Sequence, residues 1–229
     1  MSLLDDFVSL IYPNICAACG NSLFKHEEVL CNFCEFHLPQ TNFHMEEDNP
    51  VSRIFWGRTE VESAASYFHF NKGSKVQRLI HLLKYKGRRD IGIYLGRQYG
   101  AFLKNSPFFS TVEVIMPVPL HWKKLRKRGY NQSEQFAVGL SISMKIPVNT
   151  LTLYRKRATE TQTKKSRFKR WENVAEIFAL KNPEKLNGRH VLLVDDVITT
   201  GATLEACILA LHAVPGIRIS VASIAAAMS

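Results

Sequence analysis

The chain has 229 residues, 46% of them hydrophobic and 22% charged, the composition of an ordinary globular protein with one main domain and a small appendage. No apolar run approaches the roughly 20 residues that span a bilayer, and the acidic start differs from a secretory signal. Membrane insertion is therefore not expected, whereas a cytoplasmic location with reduced or metal-bound thiols is.

In chain order, residues 1–14 read as a short amphipathic helix ended by Pro13. Next come two matched pairs, Cys16-x2-Cys19 and Cys31-x2-Cys34. Two residues between thiolates let both sulfurs of a tight turn face one ion, and two such turns complete a tetrahedron, so this spacing predicts structural Zn²⁺ with no position left open for catalysis. Gly20 supplies the permissive backbone such a turn uses. The polar, proline-bounded stretch Pro39 to Pro50 reads as a linker, which divides the chain into residues 1–50, a cysteine lobe with its linker, and residues 51–229.

The second unit alternates strands and helices. Val61 to Phe70 has strand character. Lys75 to Lys84 places Val76, Leu79, Ile80 and Leu83 on one helical stripe. Asp90 to Lys104 is helical but weakened by glycines. Val112 to Pro119 reads as a buried strand, His121 to Tyr130 as a basic loop, and Asn131 to Met144 as a helix capped by Asn131 or Ser133. Arg189 to Asp196 is a strand, Gly201 to Val214 a helix with Cys207 on its apolar face, and Arg218 to Ala227 a last strand. The alternation predicts an α/β domain with a parallel sheet covered on both faces.

The formal net charge of +10 is unevenly placed. His121 to Tyr130 and Arg155 to Trp171 span 27 residues and hold 13 of the 30 Lys and Arg side chains. Such clustering fits a polyanionic ligand, either nucleic acid or a phosphate-rich molecule, or else a solvated basic surface.

The most informative stretch is Val191 to Ala206, VLLVDDVITTGATLEA. Open parallel sheets present ligand-binding groups at the carboxyl ends of their strands, where Asp195 and Asp196 are expected to face solvent or ligand. Thr199, Thr200, Gly201, Ala202 and Thr203 then open a helix, whose free N–H groups and positive dipole end favour a phosphate. Neither GxxxxGK[ST] nor GxGxxG is present. Carboxylates would repel a lone phosphate, so the ligand must also present donors or a metal, as the hydroxyls of a ribose 5-phosphate do.

Apolar residues, two acids and TTGAT resemble the PRPP-binding motif of type I phosphoribosyltransferases. Together with LLKYKGRRDIG (Leu82 to Gly92), MPVPLHWKKLRKRGYNQSEQFA (Met116 to Ala137) and the four-cysteine N-terminus, they resemble the ComF family, whose members are linked to DNA uptake in natural competence. The resemblance implies a type I phosphoribosyltransferase fold with a small N-terminal zinc lobe. It implies PRPP or a nucleotide-like ligand with Mg²⁺, and as further partners single-stranded DNA and a competence helicase. Asp195 and Asp196 match the ribose-binding acids, and Thr199 to Thr203 match the 5-phosphate loop. Pro117, Val118, Pro119 and Leu120 fall where the pyrophosphate loop lies, and Arg126, Arg128 and Asn131 match the RxRGxNQ signature. Lys84, Lys86, Arg126, Arg128, Arg155 and Arg157 are the cations expected to face pyrophosphate, the last two from a basic stretch that forms a hood in the family fold. Amidophosphoribosyltransferases that use glutamine carry a glutaminase domain for which this chain is too short. A protein that binds PRPP without transferring it stays an alternative. So does a DNA-binding module in which Trp122, Tyr130, Phe168 and Trp171 stack on bases rather than pack in the interior.

Overall fold

A computed structural model describes residues 13–156 and 177–227. The expected N-terminal helix, Arg157, Phe168 and Trp171 lie outside these residues.

The cysteine lobe contains one short helix, α1 (Asn32–His37), and a 3-10 turn follows at Phe43–Met45. Helix α2 (Pro50–Arg53) leads into β1 (Ser63–His69), α3 (Lys75–Tyr85) and α4 (Arg89–Lys104). Then come β2 (Val114–Pro117), α5 (Trp122–Arg128), α6 (Gln132–Met144), β3 (Leu153–Arg155) and β4 (Phe178–Leu180). A 3-10 turn at Pro183–Leu186, β5 (His190–Ile198), α7 (Ala202–Leu211) and β6 (Arg218–Ala226) complete the described chain.

Four strands form a sheet in the order β1-β6-β5-β2, with every pairing parallel. Strand β5 is central, and its Val191 to Val194 are fully buried, which is why this run is uniformly apolar rather than alternating. Its pairing with β2 stops at Pro117↔Val194, whereas its pairing with β6 continues to Ile198↔Ala226. The acids thus lie inside a strand that outruns its neighbour on one side, rather than at the strand's end. Strands β3 and β4 make a separate antiparallel ribbon that the sequence reading did not anticipate.

Three segments differ from expectation. The basic stretch after β2 is a helix, α5, and not a loop. His121 caps it by accepting from Lys123 N–H at 3.2 Å, and Gly129 ends it at φ 77°. The polar stretch taken for a linker is folded against β1. Asn49 is 1% exposed and caps α2, while its Nδ2 donates to Ala64 O at 2.9 Å and Glu46 O at 2.8 Å. Val51 and Phe55, just beyond it, are fully buried. The glycines of α4 are contact points rather than weak points. A Cβ at Gly96 would stand 2.2 Å from Phe136 O of α6, and one at Gly139 of α6 would stand 2.1 Å from Ile93 O. The two helices meet backbone to backbone, and α6 rests on β2 and β5.

Candidate functional site

Where β2 pairing ends, Val118 N–H still donates to Val194 O at 2.9 Å, and Asn131 Nδ2 donates to Val118 O at 2.9 Å. These bonds fix Val118, Pro119 and Leu120 beside the acids. Asp195 Oδ1 accepts from Ser133 Oγ at 2.8 Å, at the start of α6, and from Asp196 N–H at 2.8 Å. Asp196 is 8% exposed and pairs through Oδ1 with Lys84 Nζ of α3 at 3.0 Å. Burial, then the charge of Asp196, pushes the Asp195 carboxyl up to about 7 against the Ser133 and backbone bonds and the Lys84 charge. Asp195, Asp196, Lys84, Lys124, Arg128, Arg155 and Ser133 line one cleft, together with the loop after β2.

A second hollow adjoins the first at Asp195. Asp195 and Thr203 line both it and the first cleft, and the rest of its wall runs from Val197 to Leu204. Gly201 N-caps α7 at φ 74°, a backbone that side chains rarely adopt. A Cβ there would lie 2.6 Å from Ile54 Cγ2, so the glycine is required by the protein's own packing. Among the free N–H groups of the first turn, Ala202 N–H reaches Thr200 Oγ1 at 3.5 Å. Arg58 Nη1 donates to Thr200 O at 2.8 Å, and its other nitrogen pairs with Glu205. The arginine braces the loop from outside.

The other residues singled out by sequence divide clearly. Lys84, Arg128 and Arg155 reach the cleft; Arg128 Nη1 also donates to Gln132 Oε1 at 2.6 Å. Asn131 caps α6 by accepting from Ser133 N–H at 3.2 Å. Pro117 is the last residue of β2, beside the loop. Lys86 is exposed at the end of α3, and Arg126 is exposed on α5; neither lines the cleft. Lys124, which the sequence reading passed over, lines it instead. It sits four residues before Arg128, on the same face of α5, whereas Arg126 points about 160° away from Arg128. Tyr130 is buried, with its hydroxyl donating to Leu83 O and Arg89 over its ring at 4.7 Å, which makes it a packing residue rather than a base-stacking one.

At the far end of α3, the sulfurs of Cys16, Cys19, Cys31 and Cys34 lie within 4.8 Å of one another, and none is in a disulfide. Burial holds Cys34 up to about 12. At Cys16, backbone N–H donors from Cys19, Cys31 and Ala18 overcome burial and bring the thiol down to about 6. Four thiolates this close repel one another unless a cation sits among them, so the donor set fits a tetrahedral metal ion.

A parallel sheet, an acid pair on its central strand and a threonine-rich loop heading the next helix define a phosphoribosyltransferase-like domain. The phosphoribosyl transferase domain family matches residues 131–229. The DNA utilization protein YhgH of Escherichia coli K12 is 30% identical over 205 residues, 86% of this chain and 83% of that protein. Competence protein ComFC of Bacillus subtilis is 34% identical over 203 residues, 83% and 75% of the two chains. Competence protein F of Haemophilus influenzae is 39% identical over 94 residues, 41% of each. The chain belongs to the ComF family of phosphoribosyltransferase-like proteins. Among solved structures, a glutamine PRPP amidotransferase from B. subtilis complexed with ADP and GMP is similar at a TM-score of 0.43 and 18% identity. That likeness covers 62% of this chain and 30% of the amidotransferase. Among the described residues, no helix is long and apolar enough to cross a membrane.

Proposed function

We propose that the protein binds PRPP, or a related ribose 5-phosphate, with Mg²⁺ in this cleft, in a cytoplasmic role tied to DNA uptake or nucleotide metabolism. One observation carries the reading: the cleft lined by the acid pair and the hollow lined by the Thr199–Thr203 loop adjoin, sharing Asp195 and Thr203. The loop N–H groups and hydroxyls take the 5-phosphate, and the carboxylates accept from the ribose hydroxyls. Lys84, Lys124, Arg128 and Arg155 face the pyrophosphate, so cations line one hollow and the phosphate loop the adjoining one. Bound Mg²⁺ would offset pyrophosphate charge and ease its departure from C1. The chain's own contribution is to position the sugar and to hold cations where negative charge accumulates. The names of the relatives above, DNA utilization and competence, support the biological setting.

Isothermal calorimetry with PRPP and Mg²⁺ tests the reading. We expect saturable binding that ribose 5-phosphate displaces and 2-deoxyribose 5-phosphate displaces poorly, since the deoxy sugar offers one donor fewer. Equal displacement by both sugars would overturn the ribose assignment.

For the cysteine cluster we propose structural Zn²⁺. All four donors are thiolates, which leaves no position for a substrate. Protein prepared without chelators should carry about one Zn²⁺ per chain, and stripping it should unfold the lobe. Cys→Ser at position 16, 19, 31 or 34 should each lower metal content and thermal stability. Zinc-free protein with an intact lobe would refute the assignment.

A further inference from the structure

Helix α3 touches both sites, one at each end. At its first residue, Lys75 Nζ lies 3.5 Å from Cys34 Sγ and 5.2 Å from the centre of the Phe33 ring. Near the next turn, the Arg78 guanidinium packs on the knuckle at Gly20, 3.4 Å from where a Cβ would stand. At the other end Lys84 holds Asp196 at 3.0 Å. The span between the two lysines is about 14 Å at the ~1.5 Å rise of an α-helix. Between them Val76, Leu79, Ile80 and Leu83 are buried, so the helix moves as a body or not at all.

The electrostatics run the same way. Four thiolates around a divalent ion leave a net negative charge, and what faces it is the N-terminal end of α3, with its positive dipole and the Lys75 ammonium.

We propose that α3 is a strut coupling the metal-loaded cysteine cluster to the ligand cleft, with Lys75 as the residue that positions it. The inference rests on the PRPP and zinc readings above. Metal at the cysteines holds Lys75 and with it the register of α3, which sets Lys84 against Asp196. Linkage then requires the converse: ligand in the cleft must tighten the hold on the metal.

The test uses the full, zinc-loaded chain and two readouts, zinc release to a zinc-selective colorimetric chelator and PRPP affinity by calorimetry. In the parent protein, saturating PRPP with Mg²⁺ should slow zinc release about 5-fold or more. Lys75→Ala should speed release about 10-fold, as loss of an outer-sphere partner of a metal ligand does. It should still bind PRPP, though more weakly, and the ligand should no longer slow release. Lys75→Arg keeps the charge and should restore the coupling, an outcome that a merely space-filling role for this side chain would not produce. If calorimetry shows PRPP bound while zinc leaves the parent equally fast with and without it, the strut is refuted and the ligand reading stands. Unchanged coupling in Lys75→Ala also refutes it. Absence of PRPP binding to the parent overturns the ligand reading itself, and the strut with it.

Discussion

Gly139→Ala should cost the protein more than the ~1–3 kcal/mol of ordinary overpacking, and Gly96→Ala should do the same. In most overpacked cores a side chain turns aside. Here the added methyl at Gly139 would meet Ile93 O at 2.1 Å and Arg97 N at 2.8 Å, and both are backbone atoms of α4. The only relief is to part the helices, which withdraws the packing of Tyr99, Phe136 and Leu140, all fully buried. Helix α6 also carries Ser133, which holds Asp195, so a displaced α6 should weaken ligand binding even where the variant folds. Urea denaturation alongside PRPP titration reads both effects. Ile142→Ala on the same helix, at a side chain 55% exposed, should change stability by no more than about 0.5 kcal/mol. A Gly139→Ala protein within that margin of the parent would show that the helices yield without cost, and the backbone-contact argument would be wrong.

These same glycines mark where sequence reading stops. Local propensity treats glycine in a helix as a loss of backbone order, so α4 looked weak; what the glycines gain lies on α6, about 40 residues away, and periodicity within α4 does not reveal it. By contrast the stripe Val76, Leu79, Ile80 and Leu83 and the run Val191 to Val194 were legible, because burial leaves a local pattern on each. Helix α5 was missed for the reverse reason. None of its residues is buried, so it has no apolar stripe, and charge density made it look like a loop. In the segment before β1, polar residues such as Asn49 are buried because they cap a helix and satisfy strand carbonyls. Composition alone makes such residues look solvent-facing.

At the site, chemistry carried further than geometry. The acids and TTGAT could be placed together from the strand-loop-helix order alone, and the structure sets them in adjoining hollows that share Asp195 and Thr203. Which cations face that cleft depends on helix phase, and with α5 read as a loop there was no phase to choose Lys124 over Arg126. Arg58 braces Thr200 from 142 residues away, a contact that no spacing rule reaches. Ser133 was weighed only as a cap, yet its hydroxyl is what holds Asp195. The sequence sets the acids facing solvent or ligand; Asp196 lines the cleft and pairs there with Lys84 at 3.0 Å, so in the absence of ligand its charge is already balanced.

That balance shapes the second large effect. Asp195→Asn with Asp196→Asn should fold and lose most affinity for PRPP. Hydrogen bonds from ribose hydroxyls to a carboxylate contribute about 1.5–3 kcal/mol each, so the pair should weaken binding by roughly two to four orders of magnitude. Folding should survive because an amide oxygen at position 195 still accepts from Ser133 and from the backbone N–H of residue 196. Losing the second acid releases Lys84, which is exposed enough to be hydrated. Stability should shift in a definite direction. Burial holds the Asp195 carboxyl at about 7, above the usual ~3.9, so between those values the folded chain keeps a proton the unfolded chain has released. The stabilisation this gives is full below about pH 4 and is lost as pH rises through 7. The single variant Asp195→Asn, which never ionises, should therefore melt higher than the parent at pH 8. Affinity should run the other way. Lowering the pH from 8 to 6 protonates Asp195 in the parent and should weaken PRPP binding more than in Asp195→Asn, whose profile carries only the ligand's own phosphate titration near pH ~6. Matching profiles would remove Asp195 from ribose recognition, and parental affinity in the double variant would end the phosphoribosyl reading of this cleft.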